Sequence, residues 1–191
     1  MRKDAPDKRS FLLECSDGVI RRITGYRGSY GDFEHRGLPV EDSRLLVNVV
    51  FSPNLGRLLD PFAGVGGIVI EAKKAGWETW SIDIDPSLRH GLAKLSDHHL
   101  VASSNKLPLD NAVIDAIATE PPYHSGACEV VTKAVSELHR VLKPGGRIAI
   151  LAAKKQAKML QKAADPVGFD LNISTPINRK GTDVVCLCWK R

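Results

Sequence analysis

From about residue 41 onward, short apolar runs alternate with stretches whose apolar positions recur every three or four residues, the pattern of strands interleaved with helices. Residues 57–60, 78–82, 114–119 and 147–152 read as buried strands. Leu45, Leu46, Val49 and Val50 share one helical face in residues 41–51; Ile68, Ala72 and Ala75 mark a second helix, closed by Gly76. Pro86 opens a third, because proline is well tolerated in a first turn. Val130, Val131, Ala134, Val135, Leu138, Val141 and Leu142 form a helical stripe that Lys143-Pro144-Gly145-Gly146 ends, and residues 154–164 form a Lys-rich helix. A closing strand pair at 169–174 and 184–189 is joined through Asn178-Arg179-Lys180-Gly181. This alternation predicts an α/β domain on a parallel sheet. Residues 1–38, with Gly25, Gly28, Gly31 and Gly37 among Tyr26, Tyr30 and Phe33, read as a loop-rich lead-in, leaving one domain over 39–191.

Composition narrows the class. A chain of 191 residues that is 43% hydrophobic can bury one full core, so one principal site is expected. No apolar run has membrane-spanning length and the charged first ten residues lead into no apolar stretch, which points to a cytoplasmic protein with no membrane partner. Cys15, Cys128, Cys186 and Cys188 lack CxxC or His partner spacing, so reduced structural thiols and no metal are expected. Net charge is +5, but residues 139–191 carry eleven basic against three acidic residues. Lys154, Lys155, Lys158 and Lys162 can simply solvate a helix face; the same bias would also attract a polyanion.

Three clusters fall at the carboxyl ends of predicted strands, where open parallel sheets bind ligands. In Asp60-Pro61-Phe62-Ala63-Gly64-Val65-Gly66-Gly67 the glycines permit a sharp turn and close approach of a ligand; Val69 breaks the GxGxxG dinucleotide pattern. Asp83, at the end of the next strand, is spaced to meet ribose hydroxyls, while Asp85 is the better candidate for a helix cap. Glu120-Pro121-Pro122-Tyr123 supplies a carboxylate, rigidly presented carbonyls and an aromatic ring. An exocyclic base amine is a poor nucleophile, and acceptors at Glu120 and the Pro121 carbonyl would stabilise the positive charge it develops during attack. Tyr123 could stack on the base.

These clusters, with Ser81-Ile82-Asp83-Ile84-Asp85, Leu107-Pro108-Leu109 and Val141-Leu142-Lys143-Pro144-Gly145-Gly146, resemble the successive motifs of class I S-adenosylmethionine-dependent methyltransferases. More narrowly they resemble the tRNA guanosine-N2 methyltransferase group, over residues 35–191. The resemblance implies a Rossmann-like, mostly parallel seven-stranded sheet with helices on both faces and an antiparallel last strand. It implies S-adenosyl-L-methionine held by Asp60, Pro61, Phe62, Gly64, Gly66, Asp83 and Ile84, with Ser103 and Ser104 at the adenine and Glu120 at the reacting end. Glu120, Pro121 and Tyr123 would hold the target amine. Glu120 stands where the group usually has Asp or Asn, and Ser103 where it has an acidic residue.

The expected substrate is RNA, with guanosine N2 of tRNA or another structured RNA foremost. The group's N-terminal RNA-binding domain has no counterpart in the lead-in, so recognition falls to the basic C-terminal third, to Tyr26, Arg27 and Tyr30, or to a separate RNA-binding partner protein. A DNA adenine or cytosine amino-methyltransferase and a non-catalytic adapter of the same fold are the rivals, with an NAD-linked oxidoreductase more distant.

Overall fold

The structure is a computed structural model, and the residues it describes are 10–14, 20–24, 37–124, 126–179 and 182–191. Within the lead-in, β1 (Ser10–Glu14) and β2 (Ile20–Thr24) pair antiparallel, so this segment is not all loop as its glycines suggest. Tyr26, Arg27, Tyr30 and Phe33 lie outside the described residues.

The main domain runs α1 (Val40–Val49), β3 (Arg57–Asp60), α2 (Gly67–Lys74), β4 (Glu78–Asp83), α3 (Arg89–Leu95), β5 (His98–Val101), β6 (Ile114–Thr119), α4 (Ala127–Val141), β7 (Leu142–Ala153), α5 (Lys154–Ala164), β8 (Asp170–Arg179) and β9 (Thr182–Lys190). A seven-stranded sheet takes the order β5-β4-β3-β6-β7-β9-β8. All strands are parallel except β9, which pairs antiparallel with both β7 and β8. The expected mostly parallel sheet with an antiparallel last strand is therefore what forms. Its winding reverses between β3 and β6, which fixes the crevice where ligands bind in such sheets.

Each face of the sheet has its own core. On one, Leu46 and Val47 of α1 and Ile68 and Ala72 of α2 cover Leu58, Ala116, Ala118 and Leu151. On the other, Val131, Ala134, Val135 and Leu138 of α4 and Ala157 and Leu160 of α5 cover Leu59, Ile117, Ile148 and Leu187. The α4 stripe is core as its spacing predicts, except that Val130 is 40% exposed. Cys186 and Cys188 are buried in β9, and burial pushes the Cys186 thiol up to about 11, consistent with an inert thiol.

Ion pairs tie one loop to a helix and one helix to another. Arg140 on α4 pairs with Glu137 at 2.8 Å and donates to the carbonyls of Leu107 and Leu109, so the Leu107-Pro108-Leu109 segment is tied to α4. Glu137 in turn accepts the Leu107 N–H. On the other face Glu71, 7% exposed, accepts from both Arg44 and Lys74, at 2.5 and 2.8 Å, joining α1 to α2. Among the described residues no helix is long and apolar enough to cross a membrane.

Gly66 starts α2 in the left-handed region, φ 85° and ψ 20°. A Cβ there would stand 2.9 Å from Leu95 Cδ1 and 3.3 Å from Leu92 Cδ2 of α3. Gly66→Ala is therefore expected to lower stability by about 1–3 kcal/mol, through backbone strain and crowding. Thermal denaturation should show this as a fall in Tm of about 2–4 °C per kcal/mol.

Candidate active site

The three strand-end clusters meet at the switch point. Asp60, last residue of β3, is 1% exposed, and its Oδ1 accepts from Thr119 Oγ1 at 2.7 Å and from the Phe62 N–H at 3.2 Å. Thr119 ends β6, so this bond crosses the reversal of winding and seats Asp60 next to the start of the Glu120 loop. Burial pushes the Asp60 carboxyl up to about 7; the hydrogen bonds oppose this, and the charges of Asp83 and Glu120 add to the rise. Three carboxylates thus share one crevice, which suits a cationic ligand.

Asp83 holds the glycine turn. Its Oδ2 accepts the Gly64 N–H at 2.8 Å and its Oδ1 the Asp85 N–H at 2.9 Å. A carboxylate has about four lone-pair sites, so these two bonds leave capacity for hydroxyl donors. The capping task falls to Asp85, whose Oδ1 accepts the Ser87 N–H at 2.9 Å ahead of the single helical turn Pro86–Leu88. Ile84 between them is 71% exposed, an apolar side chain at the rim of the crevice that a ligand's flat ring could cover. Gly64 has φ 51°, and a Cβ built there would meet nothing within 4 Å. Its backbone therefore faces open space over the turn. Pro61 is buried and Phe62 packs partly on the core of the α4 face. Ser103 and Ser104 follow β5 at the same end; Ser103 Oγ accepts the Asn105 N–H at 3.3 Å and Ser104 is buried.

The loop after β6 is held from both sides. Pro121 is buried and Pro122 exposed. Tyr123 is half-buried against the core of the α1 face, and its hydroxyl donates to Glu120 Oε1 and lies 3.4 Å from the Leu151 carbonyl. The ring is thus neither free, as a pure stacking platform would be, nor sealed in the core. Its hydroxyl steadies a carboxylate arm one methylene longer than the aspartate usual in the resembled group.

From the opposite side, Gln156 of α5 donates to the Pro122 carbonyl at 2.7 Å and accepts the Ala153 N–H at 3.2 Å. Gln156 is 1% exposed. Neither Gln156 nor Thr119 was singled out by sequence. A signal existed for Gln156, which occupies a core position of α5 beside Ala157, Leu160 and Ala164, where an amide is costly unless it has partners. Gln156→Leu should leave donor binding unchanged and lower kcat/KM by about 10- to 100-fold as the loop loses its fixed position. Isothermal calorimetry and initial rates on one preparation check both halves.

Two concavities lie elsewhere. One of about 370 Å³ sits near the N-terminal ends of β3 and β6, lined by Arg57, Trp80 and Leu107 to Asp110. The other, between α2 and α3, is lined by Ile70, Lys73, Lys74, Lys94 and Leu95. Neither includes the clustered carboxylates. Among the described residues no group of His, Cys, Asp and Glu is arranged to hold a metal ion.

Residues 59–150 match the family described as Methyltransferase domain. Fold, strand-end carboxylates and this match, which spans just under half of the chain, support a class I S-adenosylmethionine-dependent methyltransferase domain with S-adenosyl-L-methionine as its cofactor. The open turn at Gly64, the exposed Ile84 beside Asp83 and the acidic crevice fit that molecule's backbone-contacting, adenosyl and cationic parts.

Narrower likenesses diverge. The chain is 32% identical over 124 residues to a tRNA (guanine(10)-N2)-dimethyltransferase of Methanothermobacter thermautotrophicus, covering 58% of this chain and 37% of that protein. It is 35% identical over 125 residues to the ubiquinone/menaquinone biosynthesis C-methyltransferase UbiE of Burkholderia mallei, covering 60% and 50%. The match thus spans half or less of the length of these curated relatives. The crystal structure of TrmN from Thermus thermophilus shares the fold, with a TM-score of 0.66 and 24% identity, over 81% of this chain and 49% of that one.

Proposed function

We propose that this chain methylates an exocyclic amine of an RNA base, with guanosine N2 in tRNA or another structured RNA as the foremost target. The observation that carries this reading is the Glu120-Pro121-Pro122-Tyr123 loop, held by Tyr123 and Gln156 beside Asp60 at the switch point. S-adenosylmethionine supplies an electrophilic methyl group when bound. Asp60, Pro61, Phe62, Gly64 and Gly66 would hold its methionine part, Asp83 its ribose hydroxyls, and Ile84, Ser103 and Ser104 its adenine.

The rest is done by the loop. Glu120 and the Pro121 carbonyl accept the two N–H bonds of the amine and favour a pyramidal nitrogen whose lone pair is available. Both acceptors gain strength as positive charge develops on that nitrogen, so they stabilise the transition state more than the bound substrate. Tyr123 keeps the Glu120 carboxylate aimed and offers the outer part of its ring to the base. A carbon acceptor, as the UbiE likeness would suggest, presents no N–H pair for these two acceptors.

Incubation with methyl-labelled donor and total RNA, DNA or lipid extract, followed by digestion of the RNA to nucleosides, tests the reading. Label in N2-methylguanosine is expected. Label confined to DNA or to the lipid fraction overturns it, and absence of any heat on calorimetric titration with S-adenosylmethionine would point instead to an adapter.

A further inference from the structure

The helix that clamps the acceptor loop also carries, among the described residues, a run of four exposed lysines without carboxylate partners. On α5 the inner face holds Gln156, Ala157, Leu160 and Ala164, and the outer face exposes Lys154, Lys155, Lys158 and Lys162. Among the described residues these four lysines pair with no carboxylate. Several cations elsewhere are answered by carboxylates: Lys73 by Asp97, Lys74 by Glu71, Lys133 by Glu129, Arg140 by Glu137 and Lys143 by Asp115.

The arrangement works against the helix itself. Lys154 and Lys155 occupy the first turn, which has no acidic residue, and cations there oppose the helix dipole. Lys154 with Lys158, and Lys158 with Lys162, are like charges four residues apart, which repel. Nothing in the packing of α5 calls for either feature, whereas an anion seated along this face would relieve both.

Place then decides the anion. The helix begins at the carboxyl end of β7, and Gln156 of its first turn touches the loop that would receive the target base. From Lys154 to Lys162 the stripe runs about 12 Å, at about 1.5 Å per residue. That is enough to follow several phosphates of one strand, at one charge per roughly 3.4 Å.

We propose that the outer face of α5 is the docking track for the RNA phosphodiester backbone, leading the target nucleotide onto the Glu120 loop. This rests on the reading of the substrate as RNA. The groove between α2 and α3 is the competing basic surface, but two of its three lysines are already paired.

The test measures binding without chemistry. Fluorescence anisotropy of a fluorescein-labelled tRNA transcript is followed between 50 and 200 mM salt, with thermal denaturation confirming that each variant is folded. Replacing Lys154, Lys155, Lys158 and Lys162 by Ala should weaken binding at the lower salt at least about tenfold. It should also flatten the log–log salt dependence by about 0.7–0.9 for every phosphate that is no longer neutralised. Affinity for S-adenosylmethionine should stay constant. Replacing Lys73, Lys74 and Lys94 by Gln should leave both RNA quantities unchanged.

Absence of binding by the native chain, an unchanged salt slope in the α5 variant, or a loss that follows the α2–α3 variant instead overturns the proposal. A loss of RNA binding in the α5 variant when the native chain leaves RNA unmethylated keeps the docking track and removes the catalytic reading. Methylation of RNA that survives the α5 substitutions with KM unchanged does the reverse.

Discussion

Glu120→Ala is expected to lower kcat for methyl transfer to RNA by about 10²–10⁴-fold while S-adenosylmethionine still binds. The carboxylate stands at the end of β6 with one oxygen accepting from the Tyr123 hydroxyl, and nothing else described in the loop offers a charged acceptor. Because its proposed work is to stabilise charge that appears only as nitrogen attacks, the loss should fall on kcat more than on KM. Tyr123→Phe should give a smaller loss, about tenfold, since the carboxylate remains but is no longer held in place. Single-turnover rates for the two variants, alongside calorimetric titration with the donor, check the ranking. A Glu120→Ala enzyme working at the native rate would remove the loop from the mechanism.

The second large effect concerns protons. With its carboxyl pushed up to about 7, Asp60 is partly protonated at neutral pH, and a cation arriving in the crevice favours its ionised form. Donor affinity should therefore rise about tenfold per pH unit below about 7 and level off above it. Titrations between pH 5.5 and 7.5 stay below the region where the donor's own amine loses its charge. Asp60→Asn should bind the donor weakly and without this pH dependence.

Stability of the ligand-free protein runs the other way. A carboxyl whose folded pKa lies above its unfolded value of 3.8 contributes stability that is present below 3.8 and lost as pH rises through about 7. The shift corresponds to about 4 kcal/mol as an upper bound. His99 and His139, both lowered by burial, lose stability as pH falls, so the native profile mixes both signs. The difference between the native chain and Asp60→Asn isolates the carboxyl, and the Asn variant should be the more stable of the two at pH 8. A difference that does not grow with pH would show that Asp60 ionises freely.

Much of the scaffold was readable because burial imposes periodicity. The strands at 57–60 and 114–119 and the helix at 154–164 have the boundaries their patterns imply, since each is apolar on the side or sides that meet a neighbour. β5 escaped notice: its four residues, His98 to Val101, lie at the edge of the sheet, only partly buried, and carry two histidines. β7 extends back through Lys143-Pro144-Gly145-Gly146, which in isolation is a stop signal, because β6 and the carbonyl of Arg191 offer it partners.

For the site, the strand-end carboxylates and the Pro-Pro loop were legible, being chemically unusual where they stand. Thr119 and Gln156 were not. Their importance lies in what they touch, Asp60 from a distant strand and Pro122 from a later helix, and no local pattern encodes such meetings.

The bond from Thr119 to Asp60 joins residues 59 apart in the chain, and it can exist only when the two innermost strands are side by side. A truncated or half-zipped chain consequently lacks the part of the pocket that this bond seats. Ligand added to such a chain gains a weaker foothold, whereas in the intact one it adds stability to the closed sheet as a unit. A thermal shift with donor or product is then a gauge of whether the centre of the sheet has closed, and changes that loosen the β3–β6 seam will mimic loss of a binding residue though they touch no ligand.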